Sequence, residues 1–97
     1  MTEKQLLEQV LVTCQWLGLF AYHTHDSRRS QRGFPDLVIV GRKVLWVELK
    51  SAAGRLSPEQ TRWRAKLQIA GQEWRLWRPA DWHSGAISAE LSLLAMR

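Results

Sequence analysis

The chain has 97 residues, 45% of them hydrophobic, with six tryptophans and a formal net charge of +5. That is enough apolar material for one domain, residues 1–97, with a real core, and it excludes a disordered chain. No apolar run approaches the roughly 20 residues that cross a bilayer, so no membrane partner is expected, while the basic excess favours a polyanion such as nucleic acid.

The opening stretch Met1-Thr2-Glu3-Lys4-Gln5 lacks the basic start and apolar run of a signal peptide. Cys14 is the only cysteine, so neither an internal disulfide nor a Cys/His zinc spacing is available. The expectation is a reduced, cytoplasmic protein without a small-molecule cofactor.

Thr2 and Gln5 form a capping-box pattern that opens a helix running to about Leu17, with Leu6, Val10, Cys14 and Leu17 as its buried stripe. Gly18 ends it, and Phe20 to Thr24 reads as a first strand. Residues 25–34 are polar, basic and without periodicity, hence a loop. Residues 36–41 and 44–50 are rich in β-branched and aromatic side chains, and Gly41-Arg42-Lys43 breaks them into an antiparallel hairpin. Both hairpin faces are largely apolar, which suits central strands covered by helices.

Ser57 at the N-cap, Pro58 at the first position and Gln60 completing a capping box start a second helix. Its stripe is Trp63, Leu67 and Ala70, and it stops near Gly71. Glu73 to Arg78 reads as a further strand ended by Pro79, and 86–95 as a short last helix. The order is α-β-β-β-α-β-(α), which predicts an α/β fold: a mixed central sheet flanked by helices. Trp46, Trp63, Trp74 and Trp77 lie on these stripes and are expected in the core. Trp16 and Trp82 are free to stack on an unpaired base, although nothing in the sequence selects that role.

The hairpin carries the chemistry. With the turn centred on Arg42, Val40 faces Val44 and, further out, Asp36 faces Glu48, with Cβ atoms roughly 4.5–5.5 Å apart. Lys50 shares the Glu48 side of its strand. Paired acids on adjacent strands are what Mg²⁺ requires, with coordination sites left for water and a substrate phosphate. Lys50 is placed to orient or deprotonate that water and to neutralise charge on the phosphate. A strand-starting Asp and a surface Glu–Lys pair would be the plainer account. Acids inside apolar strands are expensive when unpaired, and this favours the metal reading.

The segment Gly33-Phe34-Pro35-Asp36, a turn, and Val47-Glu48-Leu49-Lys50 resembles the Pro-Asp…(Asp/Glu)-x-Lys (PD-(D/E)xK) nuclease superfamily, and within it a stand-alone VRR-NUC domain, the virus-type replication-repair nuclease. His23 and Ser27-Arg28-Arg29-Ser30 upstream support the match, as do Gly54-Arg55-Leu56-Ser57-Pro58-Glu59-Gln60 and Trp77-Arg78-Pro79 downstream. The resemblance runs from Thr2 to about Trp82. It implies a restriction-endonuclease-like core and Mg²⁺- or Mn²⁺-dependent cleavage of DNA. Small stand-alone members resemble Holliday junction resolvases, so branched DNA is the implied substrate and a homodimer the implied assembly.

By that resemblance Asp36 and Glu48 are metal ligands, the Leu49 carbonyl a third, and Lys50 the catalytic lysine. The superfamily also carries a glutamate on its first helix. Glu3 precedes Leu6, Val10 and Leu17 by three, seven and fourteen residues and is preferred, with Glu8 second. A first-turn acid that complements the helix dipole accounts for Glu3 almost as well. Gln60 points inward, toward water or the lysine, although its capping role also explains it. Arg28, Arg29 and Arg32 are assigned to flanking phosphates, and strand-end His23 to another phosphate contact. The alternatives are a non-catalytic nucleic-acid-binding module and a subunit of a DNA repair or packaging assembly. Intact Asp36, Glu48 and Lys50 argue against both, because a pure binder gains nothing from carboxylates facing a phosphate.

Overall fold

The computed structural model describes residues 1–25 and 29–97. Its elements run α1 (Glu3–Leu17), β1 (Phe20–His23), β2 (Leu37–Val40), β3 (Val44–Leu49), α2 (Pro58–Ile69), β4 (Glu73–Trp77), α3 (Pro79–His83) and α4 (Ala86–Leu94). The four strands form one mixed sheet in the order β1-β2-β3-β4. β1/β2 and β2/β3 are antiparallel, and β4 joins β3 in parallel after the α2 crossover.

Both long helices start as the sequence dictates. The Thr2 side chain accepts from Gln5 N and the Gln5 side chain accepts from Thr2 N, and the same reciprocal box joins Ser57 and Gln60. Gly18, at φ 73°, closes α1 in the left-handed region. The hairpin register is Val40↔Val44 to Leu37↔Val47, so the next step outward sets Asp36 opposite Glu48.

Period-two alternation divides the sheet into two faces. Leu37, Ile39, Leu45, Val47, Leu49 and Trp77 point to a core completed by Leu6, Val10 and Cys14 of α1 and Ile87, Leu91 and Leu94 of α4. Full burial of a side chain of this kind is worth about 1.5–3 kcal/mol, so this layer holds the domain together. Arg75 of β4 pairs with Glu90 of α4 at 2.8 Å at the margin of that layer.

The opposite face is covered differently. Trp46 meets Phe34 edge-on at 6.1 Å, Phe34 meets Trp63 edge-on at 5.1 Å, and Arg64 of α2 lies over Trp74 at 5.0 Å. Trp46 Nε1 donates to Gln72 Oε1 at 3.0 Å. α2 supplies the helical cover expected on this face, through Trp63 and Arg64. α2 buries none of its residues: Trp63 and Leu67 are half-buried and Ala70 is exposed. Trp74 and Trp77 are core residues, whereas Trp46 and Trp63 are half-buried. α3 is an element the sequence reading missed. Pro79 does not merely stop β4; it opens a helical turn, with Arg78 N donating to Asp81 Oδ2 at 2.8 Å.

Candidate active site

The paired acids lie where β2 enters and β3 leaves the sheet, beside the N-terminal turns of α1 and α2. Asp36 precedes β2 after the buried Pro35. Its Oδ2 accepts Leu49 N at 2.8 Å and its carbonyl accepts Thr24 N at 3.1 Å. The residue is therefore tied to both neighbouring strands. Glu48 is 1% exposed, the one buried charged residue among those described. Its Oε1 accepts Gln60 Nε2 at 3.0 Å. No donor meets its buried Oε2. The Asp36 carboxylate stands close enough to hydrogen-bond Glu48, but two carboxylates can share such a bond only when one carries a proton.

That geometry sets the electrostatics. The Glu48 carboxyl is pushed up to about 9, first by burial, then by the hydrogen bond to Asp36 and the repulsion of its charge. Lys50 opposes the shift and Glu3 adds to it. Glu3 is also raised, by desolvation and then by the Asp36 charge, with Lys50 again opposing. Two carboxylates, a third nearby and one lysine thus feel one another in a single cluster.

A pocket of about 310 Å³ opens beside it, lined by Glu3, Lys4, Leu7, His23, Thr24, Asp36 and Leu49. Glu3 and His23 therefore reach the site. Glu8 is exposed and does not line it; five residues along a helix turn it about 140° away from Glu3. Lys4 and His25 are neighbours that the sequence reading did not select. His25 packs on His23 with ring centroids 4.0 Å apart. Their signal was weak, since a helix-surface lysine and a loop histidine have no distinguishing pattern.

Lys50 is half-buried, and its N–H donates to the Trp77 carbonyl at 3.1 Å. A Cβ at Gly54 would sit 3.4 Å from Lys50 Cδ and 3.0 Å from Ser51 Oγ, so the following loop packs closely on the lysine stem. Arg78 fixes that loop by donating from Nη1 to the Ser51 and Gly54 carbonyls, at 2.7 and 2.6 Å. Sequence reasoning missed this clamp because its partners are backbone carbonyls.

Arg29 and Arg32 are exposed, and Arg28 lies outside the described residues. The Arg32 carbonyl accepts Trp63 Nε1 at 3.0 Å, and its side chain lines a separate pocket against α2. Trp16 is 84% exposed, whereas Trp82 packs against the core.

Among the described residues, no three His, Cys, Asp or Glu side chains form a closed metal cage. The donor set is the Asp36–Glu48 pair, and it fits a hard divalent cation: Glu48 keeps a buried oxygen without a donor and has the Asp36 carboxylate beside it. Mg²⁺ is commonly held in this way, by one or two carboxylates with water and substrate phosphate completing the shell.

Residues 1–78 match the VRR-NUC domain model. The chain belongs to the VRR-NUC family. Its acidic pair, Lys50 and Gln60 all lie within the matched part of this VRR-NUC domain, as do all four strands. α3 and α4 follow it, and α4 nevertheless completes the core. Among solved structures, the VRR-NUC domain is similar to Archaeoglobus fulgidus Hjc, a Holliday junction resolvase from an archaeal hyperthermophile, with a TM-score of 0.53 and 26% identity over 77% of this chain and 67% of that one. The fold is accordingly restriction-endonuclease-like. No curated protein matches the chain.

Proposed function

We propose that this VRR-NUC domain is a cytoplasmic Mg²⁺- or Mn²⁺-dependent DNA endonuclease, that it acts on branched DNA such as Holliday junctions, and that it works as a homodimer. The observation that carries the reading is Glu48 Oε2, buried without a donor in a carboxyl group that interacts with Asp36. A group in that position is costly to the fold unless a cation or proton fills the gap. The family and the resolvase neighbour support DNA as the substrate.

Asp36, Glu48 and the Leu49 carbonyl would hold the ion. When bound, it supplies positive charge to the phosphodiester and acidifies the attacking water. The Leu49 N–H fixes Asp36 and the Gln60 amide fixes Glu48, so both carboxylates enter the reaction already oriented. Lys50 orients the water and offsets charge gathering on the phosphate. Glu3 and His23, on the pocket rim, position solvent and the neighbouring phosphate. Arg29 and Arg32 meet flanking phosphates. Water adds to phosphorus, one P–O ester bond breaks, and the products are a phosphomonoester and a hydroxyl. A symmetric pair of such domains supplies the two cuts that a four-way junction needs.

Titration calorimetry with Mn²⁺ tests the metal site. Asp36→Asn should lose most of the affinity, whereas Lys50→Met should bind Mn²⁺ as the wild type does yet fail to cleave DNA. Equal Mn²⁺ affinity for wild type and Asp36→Asn would remove Asp36 from the site.

A further inference from the structure

A second pocket, of about 440 Å³, lies between the loop before Asp36 and α2, lined by Gln31, Arg32, Glu59, Arg62, Trp63 and Lys66. We infer that it is a phosphate-binding subsite that grips the DNA backbone on the flank of the cleaved bond, with α2 as the gripping element. The inference rests on the nuclease reading above and extends it from Arg32 to residues of α2 that reading does not use.

Glu59, Arg62, Trp63 and Lys66 recur at i, i+3, i+4 and i+7, so one face of α2 forms a wall of the pocket. The helix buries no residue, so that face is not consumed by the core. Arg62 and Lys66 are like charges one turn apart, and Arg32 adds a third cation opposite a single carboxylate, Glu59. Such a cluster repels itself until anions enter it. Arg64, by contrast, lies over Trp74 and belongs to the aromatic layer. The Trp63 N–H is taken by the Arg32 carbonyl at 3.0 Å, which leaves its ring as an apolar wall. Recognition in this pocket is therefore cationic, which suits phosphates.

The pocket is also fixed relative to the acids. A Cβ on Gly33 would stand 2.4 Å from the Glu59 carbonyl carbon, so the loop backbone lies directly on the first turn of α2. The same turn sends Gln60 to Glu48 Oε1. One short rigid segment thus presents a cleavage contact on one side and the cationic pocket on the other. DNA bound at Asp36 and Glu48 passes the pocket with its neighbouring phosphates.

The test measures how duplex and four-way-junction affinity vary with salt, in EDTA to prevent cleavage, for wild type, the R62Q/K66Q variant and the R42Q/K43Q variant. Arg42 and Lys43 occupy the hairpin turn at the opposite end of the strands, so their loss controls for net charge. If Arg62 and Lys66 each meet one phosphate, the slope of log affinity against log salt should flatten by about 0.9 per contact, about 1.8 for the pair. R42Q/K43Q should leave it nearly unchanged. Circular dichroism should match the wild type, since both positions are exposed. A wild-type slope in R62Q/K66Q, or equal flattening in both variants, would overturn the subsite and leave the nuclease reading standing. Wild-type protein that binds no DNA would overturn both.

Discussion

Glu48 Oε1 has a donor in Gln60, whereas its buried Oε2 has none, and the Asp36 carboxylate lies close to the group. Burial and the neighbouring Asp36 carboxylate favour the protonated form of Glu48, and this makes stability depend on pH in a definite direction. The folded Glu48 binds its proton more tightly than an unfolded glutamate, whose ordinary value is about 4.3. Its contribution is fully present below that value and is lost as pH rises toward about 9. In EDTA, wild-type stability measured by urea unfolding should fall between pH 5 and 9, relative to Glu48→Gln, which has no proton to lose. Mg²⁺ should reverse the trend, because it binds the ionised pair and stabilises the fold by mass action. Identical pH profiles for the two proteins would show that the acids do not share a proton. Glu3→Gln should slow cleavage at least tenfold, and Glu8→Gln should change it less than twofold, since only Glu3 reaches the pocket. Steady-state cleavage of labelled DNA distinguishes them, and a slow Glu8→Gln beside a normal Glu3→Gln would invert the assignment.

α2 shows what secondary structure alone conceals. Its start was legible in Ser57-Pro58-Glu59-Gln60, because capping is local chemistry. Its burial was not, because Trp63, Leu67 and Ala70 mark a stripe without revealing that Trp63 and Leu67 stay half-buried and Ala70 exposed. The hairpin register was legible for the opposite reason: a turn centred on Arg42 fixes every later pair, including Asp36 opposite Glu48. α3 escaped because a proline after a strand marks a stop and a helical first position equally well. The loop-to-α2 contact was also invisible, although Gly33 carries it. At φ 82°, with Glu59 backbone where its Cβ would go, Gly33→Ala must move the loop or the helix. It should cost at least about 2 kcal/mol in chemical denaturation, and cleavage should fall because Gln60 shifts with the helix. An alanine variant of wild-type stability and activity would show that the loop and helix are not rigidly joined.

For the molecule as a whole, the core face and the chemical face of one sheet do separate work. α1 and α4 close the hydrophobic layer, and the strand ends between α1 and α2 carry the acids. Conservative changes at the site should therefore abolish activity while leaving the fold intact. Sedimentation equilibrium should give twice the monomer mass if two sites cut one junction together. The central claim is that Asp36 and Glu48 form a metal-dependent centre for hydrolysing branched DNA. Its most direct test is cleavage of an end-labelled four-way junction by wild type and Glu48→Gln, each in Mg²⁺, Mn²⁺ or EDTA, with matched duplex alongside. Wild type should cut the junction in either metal, faster than the duplex and not at all in EDTA, and Glu48→Gln should be inactive throughout although folded. Cleavage by Glu48→Gln at the wild-type rate, or by wild type in EDTA, would contradict the account.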